Sequence, residues 1–513
     1  MVARRIGLLA AALAALVSAG GATAATITGT PRANLLHGGP RPDTIRARGG
    51  DDRIVAQDGG RDTISCGAGR DVVSADRTDR VASDCELVSR QLLGDPLRET
   101  GSLAQHATEV EPDSFAWGSK VVATFQSGRF RDGASTNLGV SFSPDAGRTW
   151  RSRPLPGLTP FSHPTGRFAR VSDPAVAYDA RHGVWLVVGL AIGPSTALTI
   201  SRSADGVTWS SPVVAAEAST GSLAYDKEWI VCDNGAASLY RGSCYISFTD
   251  FVTHHLSTIA SRDGGVTWSG SVSALDTSAS EEGVGATAAQ PVVLPNGELH
   301  IVFDETSEFL TGGIYDVRSR DGGASFDPRI LVTSLTAAPV RLRAPSAPSA
   351  EVGGDGRIHL AWSDCRFEAD CSVDDILLTS SADGVVWTAP VRIPLTSARS
   401  VDLFVPGLAA DPGGTGLAVT AYAMGPHGCG TVSCRIRVAY ATSRDGGTTW
   451  SATRYLEPEP LRLQWLAEAG GRFLGDYIST SFAGGRVVPI FALAAAPSLL
   501  YREAIFGTSL RAP

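Results

Sequence analysis

Three arginines and a scatter of carboxylates are the residues of this chain best suited to chemistry. A guanidinium fork matches a carboxylate bidentately, so Arg129, Arg343 and Arg366 could together clamp an acidic ligand. Asp173, the run Asp226-Lys227-Glu228-Trp229, Asp364 and the pair Asp476-Tyr477 would add acids and a phenol beside them. A second set lies near the start of the chain. There Asp43, Asp52, Asp62, Asp71 and Asp79 each stand two places before an isoleucine or valine, at steps of 9, 10, 9 and 8. A nonapeptide period marks a parallel β-roll, in which glycine turns lend carbonyls and each aspartate a carboxylate to Ca²⁺. Both sets also have a plain structural reading. A ring of charged side chains can satisfy backbone groups and one another, and a short roll can stand without calcium.

What must position the first set is a string that recurs. Ser143-Pro144-Asp145-Ala146-Gly147-Arg148-Thr149-Trp150 is one copy. Others run from Ser203 to Trp209, Ser261 to Trp268, Ser319 to Phe326, Ser381 to Trp387 and Ser443 to Trp450. The six central aspartates fall at 145, 205, 263, 321, 383 and 445. Each string reads as a hairpin turn. The aspartate accepts backbone N–H groups, a glycine takes positive φ, and the tryptophan leaves the turn onto the sheet. Three strand-like runs precede each string and one follows. Four antiparallel strands repeated at this period predict an all-β fold, a β-propeller.

After the sixth string come three more strand-like runs, 477–482, 486–493 and 499–505. A strand from 103–110 would complete them as a seventh blade. Residues 103–507 hold nearly seven periods, so seven blades fit better than six, and six stays open. The turns between third and fourth strands occupy one face. The first strands begin on the other face, around the central pocket, so a ligand is expected there.

Lysine and arginine total 44 against 52 acidic residues, a net charge of -8, which argues against nucleic acid or an anionic membrane as partner. Lysine occurs only at 120 and 227. Residues 1–25 have a basic start, a short apolar run and a small-residue Ala22-Thr23-Ala24 site, the pattern of an export leader. The eight cysteines form four near-neighbour couples, predicting disulfides 66–85, 232–244, 365–371 and 429–434 in an oxidising compartment. The expected product is a secreted monomer with no membrane span. Its parts are the leader, a roll over 26–90, a linker and closing strand over 91–110, and the propeller over 111–513.

Two resemblances sharpen these expectations. Cys66-Gly67-Ala68-Gly69-Arg70-Asp71-Val72-Val73 resembles the haemolysin-type (RTX) calcium-binding repeat, with degenerate copies at His37–Asp43 and Gly59–Asp62. This implies Asp43, Asp52, Asp62 and Asp71 as calcium ligands; no other cofactor is required. The sixfold string resembles the Asp-box, or BNR repeat, of the sialidase superfamily. AYDKEWIVCDNG, AWSDCRFEADCSVDDILLTSSADG and FLGDYIST are similar to segments of secreted bacterial proteins of sialidase-like or exo-alpha-sialidase type. In that superfamily three arginines hold the sugar carboxylate, a tyrosine aided by a glutamate is nucleophile, and an aspartate is the acid.

The resemblance implies Asp173, Glu228 and Tyr477 as catalytic, with Arg129, Arg343, Asp364, Arg366 and Asp476 contacting substrate. The family's Arg-Ile-Pro motif precedes the first box, whereas here it stands after the fifth, at Arg392-Ile393-Pro394. Two functions follow as expectations. One is a glycoside hydrolase acting from chain ends on sialic-acid-like or other acidic glycans. The other is a propeller that binds a glycan or cell-surface ligand without chemistry, steadied by a calcium roll.

Overall fold

The computed structural model describes residues 24–94, 101, 103–218, 224–277, 284–307, 310–496 and 502–513. The expected leader lies outside the described residues except for its last two. Among the described residues the protein is all-β, with one short 3-10 turn at Leu463–Trp465 and no helix long and apolar enough to cross a membrane.

The N-terminal segment is a two-sided parallel roll. One side stacks Thr26–Thr28, Thr44–Arg46, Thr63–Ser65 and Arg80–Val81. The other stacks Leu35–His37, Arg53–Ala56, Val72–Ala75 and Leu87–Gln91. Two nonapeptides make one coil, so Ile45 pairs Ile64 on one side and Ile54 pairs Val73 on the other. The apolar member of each Asp-x-(Ile/Val) step points inward, and Ile45, Ile54, Ile64 and Val73 are fully buried.

The aspartates stitch the coils together. Asp43 N–H donates to Asp62 Oδ1 at 2.7 Å, Asp52 N–H to Asp71 Oδ1 at 2.8 Å and Asp62 N–H to Asp79 Oδ1 at 2.8 Å. Each carboxylate thus satisfies an amide one coil away. Cys66–Cys85 closes the roll, and the other three disulfides join Cys232–Cys244, Cys365–Cys371 and Cys429–Cys434, as the spacing predicts.

The rest of the chain forms successive antiparallel sheets. The first comprises Ala104–Trp117, Lys120–Phe130, Ser135–Ser143 and Arg151–Pro154. Five more four-stranded meanders follow, opening at Arg170–Asp179, Tyr225–Cys232, Val284–Val293, Ser349–Val352 and Asp402–Ala410. Second strands such as Val184–Ile192 and Leu417–Gly425 are buried almost throughout, because each sheet has a neighbour on both faces. Ser479–Ala483, Arg486–Ala495 and Arg502–Thr508 make a seventh sheet.

The closing strand differs from expectation. Ala104–Trp117 is the first strand of the first sheet, and it touches the seventh through one parallel pairing, Thr108 with Glu503. The fourth strand of the seventh sheet is Leu87–Gln91, the last strand of the roll, antiparallel to Arg502–Thr508. The roll's stacking makes that strand available, which a division of the chain into separate roll and linker obscures. First strands touch in cyclic order, and Ser479–Ala483 touches those of both the sixth and the first sheets.

All six recurring strings fold alike. In the third, Ser261 Oγ donates to Asp263 Oδ1 at 2.9 Å, Gly265 N–H donates to Ser261 Oγ, and Thr267 N–H donates to Asp263 Oδ1. The glycine is needed for more than its positive φ. A Cβ on Gly206 would come within 2.4 Å of the Phe142 ring in the preceding sheet. Gly265 meets Leu186 and Gly447 meets Leu378 in the same way, and Gly147 meets Val488 of the seventh sheet.

Buried carboxyl groups set the fold's response to pH. Burial pushes Asp113 up to about 7, and Asp374 and Glu503 up to about 8. In an unfolded chain they ionise near pH 4. Their contribution to stability is therefore complete below about pH 4 and is lost as pH rises through 7 to 8. The turn aspartates act in the opposite sense. N–H donation from Thr208 and Val207 overrides burial and holds Asp205 at about 2, so its contribution is present above about pH 4 and lost as pH falls through 2. Stability should peak in mildly acidic buffer, with Tm falling from about pH 5 to about pH 9 in scanning calorimetry. A Tm that climbs over that range would contradict this account.

Candidate functional site

The first strands carry a bulge at matching places, and the bulges aim the site. Pairing slips between Thr124 and Gln126, Ser172 and Ala175, Asp226 and Trp229, and Phe404 and Gly407. At each slip a non-glycine residue adopts positive φ: Glu111 (54°), Asp173 (44°), Lys227 (52°) and Val405 (53°). Three of these precede a proline, which disfavours the right-handed α conformation for them. Each such residue costs roughly 1–3 kcal/mol, and bulges re-aim side chains that the pleat would direct into the sheet. The result is to turn Glu111, Asp173 and Lys227 toward one point.

Asp476 occupies that point. Arg343 grips it bidentately, Nε to Oδ1 at 3.1 Å and Nη2 to Oδ2 at 2.5 Å. Lys227 Nζ donates to Oδ2 at 2.6 Å and lies 3.9 Å from Asp173 Oδ2. Burial alone would raise Asp476, but Lys227 and Arg343 outweigh it and hold the carboxyl at about 2. Around this core the other acids are pushed the opposite way. Burial, then the charges of Asp173 and Asp476, raise Glu111 to about 8. Burial and Asp173 raise Asp226 to about 7.

Beside the network lies a narrow cavity of about 50 Å³, with Asp173, Lys227, Glu228, Trp229, Asp476 and Tyr477 on its wall. Glu228 is its outstanding group. The side chain is 1% exposed, and neither carboxyl oxygen has a hydrogen-bond partner from another residue among those described. Burial, reinforced by Asp173, raises its pKa well above the ordinary glutamate value and so favours its protonated form. Asp173 Oδ1 accepts from Ser172 Oγ at 2.7 Å. Tyr477 Oη donates to Pro174 O at 3.1 Å, and its ring meets Trp229 edge to face at 5.0 Å. Asp304, also on the wall, accepts from Thr287 and Thr306 and is raised to about 6 by burial.

The structure thus brings Asp173, Glu228, Asp476 and Tyr477 to one cavity. It does not bring the three arginines there. Arg129 is 3% exposed, its guanidinium 4.7 Å from the Phe473 ring and its Nη1 bonded to Gln126 Oε1. Arg343 also lies against Phe473, with all three nitrogens engaged by Asp476 and Ala469 O. Arg366 is elsewhere. It clasps Asp364 through Nε at 2.8 Å and Nη2 at 2.6 Å, which removes both expected substrate contacts from the site. Asp476 and Asp364 have taken the forks of Arg343 and Arg366 that a ligand would need, while Arg129 is closed off by burial, its Nε without a partner among the described residues.

Lys227 enters the sequence reading only as a member of the run Asp226-Lys227-Glu228-Trp229, with no role of its own. Its rarity, one of two lysines, was the available signal, together with the acid–proline pairs Glu111-Pro112 and Asp173-Pro174.

In the roll, Asp43 spends both oxygens on amides, Oδ1 on Ala25 and Oδ2 on Gly39. Asp52, Asp62 and Asp71 each spend Oδ1 on an amide, while Oδ2 is buried without a partner among the described residues. Asp58, absent from the expected set, does the same, and it is raised to about 6 by burial. A Cβ on Gly38 would stand 2.4 Å from Asp58 Oδ2 and 3.0 Å from Asp62 Oδ2, so these two oxygens flank a cradle that only glycine leaves open. No three His, Cys, Asp or Glu side chains among the described residues form a ready metal cage, so backbone carbonyls would have to complete any site.

Residues 28–60 match the family of the RTX calcium-binding nonapeptide repeat (4 copies). No curated protein matches the chain. Structural neighbours include the leech intramolecular trans-sialidase, at 12% identity over 64% of this chain and 67% of that one, TM-score 0.44. Another is a protein of unknown function from Dyadobacter fermentans, at 16% over 83% and 99%, TM-score 0.43. A third is the Penicillium chrysogenum alpha-L-arabinanase, at 16% over 65% and 92%, TM-score 0.42. Likenesses this distant bear on neither substrate nor activity.

Lys227→Met should remove the cation that Asp476 and Asp173 share and leave buried charge uncompensated. Breaking such a pair costs roughly 3–5 kcal/mol. Urea unfolding should show a loss of that order, and a change below about 1 kcal/mol would mean the network is not what fixes the hub.

Proposed function

We propose that the seven sheets form a β-propeller and that its hub cavity takes the terminal sugar of an extracellular glycan and hydrolyses its glycosidic bond. Cyclic contact among the first strands supports the propeller. The four disulfides suit an oxidising, extracellular setting. The observation that carries the chemistry is Glu228, a buried, unpartnered carboxyl group on a cavity wall, pushed toward its protonated form. Such a group can protonate a departing glycosidic oxygen. Asp173, oriented by Ser172 and Lys227, is the carboxylate that would act opposite it, on water or on the anomeric carbon. Trp229 and Tyr477 give the sugar an aromatic wall, and the narrowness of the cavity suits a chain end.

An acidic sugar fits less well than a neutral one. Its carboxylate would have to displace Asp476 from Arg343 or reach the closed-off Arg129. A panel of aryl glycosides, neutral pentosides and hexosides beside a sialoside, tests this reading. Neutral substrates should turn over, and Glu228→Gln should lower kcat by about 10²–10⁴ while sparing binding. Because Glu228 acts protonated, activity should persist below its raised pKa and fall as pH rises through it. Glycan binding without turnover across the panel would establish the non-catalytic alternative.

A second reading concerns the roll. The paired Oδ2 atoms of Asp58 and Asp62 at Gly38 favour a calcium ion there, where it would neutralise two buried carboxylates and take carbonyls from the glycine turns. Millimolar calcium should raise the unfolding temperature of the wild-type chain relative to EDTA, and the D58N/D62N variant should lose that response. An equal response in both would place the ion elsewhere.

A further inference from the structure

A large cleft of about 880 Å³ separates the last coil of the roll from the sixth and seventh sheets, away from the hub cavity. Arg444, Arg454, Arg486 and Arg511 line it, with Tyr440 and Trp450. In a chain whose net charge is -8, four arginines gathered on one wall are a marked departure from the average. Some arginines elsewhere are held by carboxylates, as Arg437 is by Glu457 at 2.6 Å and Arg318 by Asp327 at 2.8 Å. In the cleft, Arg444, Arg454 and Arg511 have no ion-pair partner among the described residues, and Arg486 bonds only to Ser509. The like charges of Arg148 and Arg511 add to burial in lowering the Arg486 pKa, so the cluster repels itself. Glu86 is the one acidic side chain on the wall, and its Oε2 already accepts from Asp71 N–H at 2.9 Å.

Tyr440 supplies an independent sign. Its side chain is 4% exposed, yet its hydroxyl is buried without a hydrogen-bond partner among the described residues. A buried hydroxyl left unmatched costs about 1–3 kcal/mol, a cost removed when an incoming oxygen accepts its proton. Arg454 is the cation nearest in effect to that hydroxyl. An unmatched donor beside unpaired guanidinium forks is what an oxyanion requires.

We propose that this cleft binds the anionic groups, sulfate or carboxylate, of an acidic polysaccharide. Its volume exceeds what a single inorganic ion fills. A second groove of about 460 Å³ shares Arg454 but carries Asp51, Asp71, Glu86 and Glu457 beside its arginines, so the basic surface is confined to the larger cleft. Trp450 offers a half-buried ring on which a sugar can lie. The negative charge of the molecule as a whole opposes the denser phosphates of a nucleic acid. The site is independent of the hub reaction, and the cleft would hold a polymer whether or not the hub cleaves it.

Binding of the whole protein to immobilised dextran sulfate, polygalacturonate and neutral dextran tests the proposal. We expect retention on one or both acidic polymers that weakens with added NaCl, and none on neutral dextran. The R454A/R511A variant should bind at least about tenfold more weakly with Tm unchanged, since both side chains are exposed and unpaired. Tyr440→Phe should weaken binding by a smaller factor. Preference for dextran sulfate or for polygalacturonate identifies sulfate or carboxylate as the group read. Glu228→Gln should leave retention unchanged, which separates this site from the hub. Failure to bind either acidic polymer at low salt, retention unaffected in R454A/R511A, or tighter binding of oligothymidylate than of both polymers would each overturn the proposal.

Discussion

The buried carboxylate of Asp476 is where the sheets are tied to one another. Its partners come from distant parts of the chain: Lys227 from the third sheet, Arg343 from the segment before the fifth, and Glu111 of the first, whose carboxyl accepts from Asp476 N–H at 3.3 Å. Where the first strands touch, their bulged backbones turn charged side chains toward one another. Charge does the joining. One anion held by two cations fixes the spacing of several strands more narrowly than apolar contact could, since Coulomb energy rises steeply as solvent is excluded.

That arrangement dictates the electrostatics of the cavity beside it. Lys227 and Arg343 are committed to Asp476, so they provide little compensation for the acids further along the wall. Glu111, Asp226 and Glu228 are then pushed toward their protonated forms, whereas Asp476 is held ionised. A single neighbourhood therefore holds both an ionised carboxyl and carboxyls pushed toward neutrality, the separation of roles that acid catalysis uses. The same saturation of the cations turns the site away from anionic ligands. Four strained φ values among the first strands are the backbone's part in this, costs borne by the surrounding sheets.

Much of the architecture was legible in the chain. The sixfold string located every turn, because its serine, aspartate, glycine and aromatic residue act on one another within eight residues. The roll and the disulfides were equally local. What escaped depended on contacts between remote segments. Leu87–Gln91 closes the seventh sheet only because the roll delivers it there, and no property of those five residues announces it. The arginines were misjudged for the same reason. Arg343 and Arg366 are the right residue type on the expected face, but whether a fork is free is decided by Asp476 and Asp364, which geometry alone sets beside them. Glu228 and Tyr477 share a cavity wall because each stands near the start of a first strand, and that much follows from topology.

The two ends of the molecule divide the labour of charge. Around Asp476, cations are outnumbered and Lys227 and Arg343 are committed to it, and the acids left over are pushed toward their neutral forms. In the cleft by the roll, cations are in excess and unmatched, and the leftover group is a neutral hydroxyl. Four like charges gathered on one wall repel one another, a cost that the protein's own contacts there do not offset. The roll has a reason to sit where it does, since its last strand completes the seventh sheet and its last coil becomes one wall of the basic cleft. Its place is thus structural on one side and available for recognition on the other: Leu87–Gln91 pairs with the seventh sheet, and Ser83, Cys85 and Glu86 just before it face the cleft.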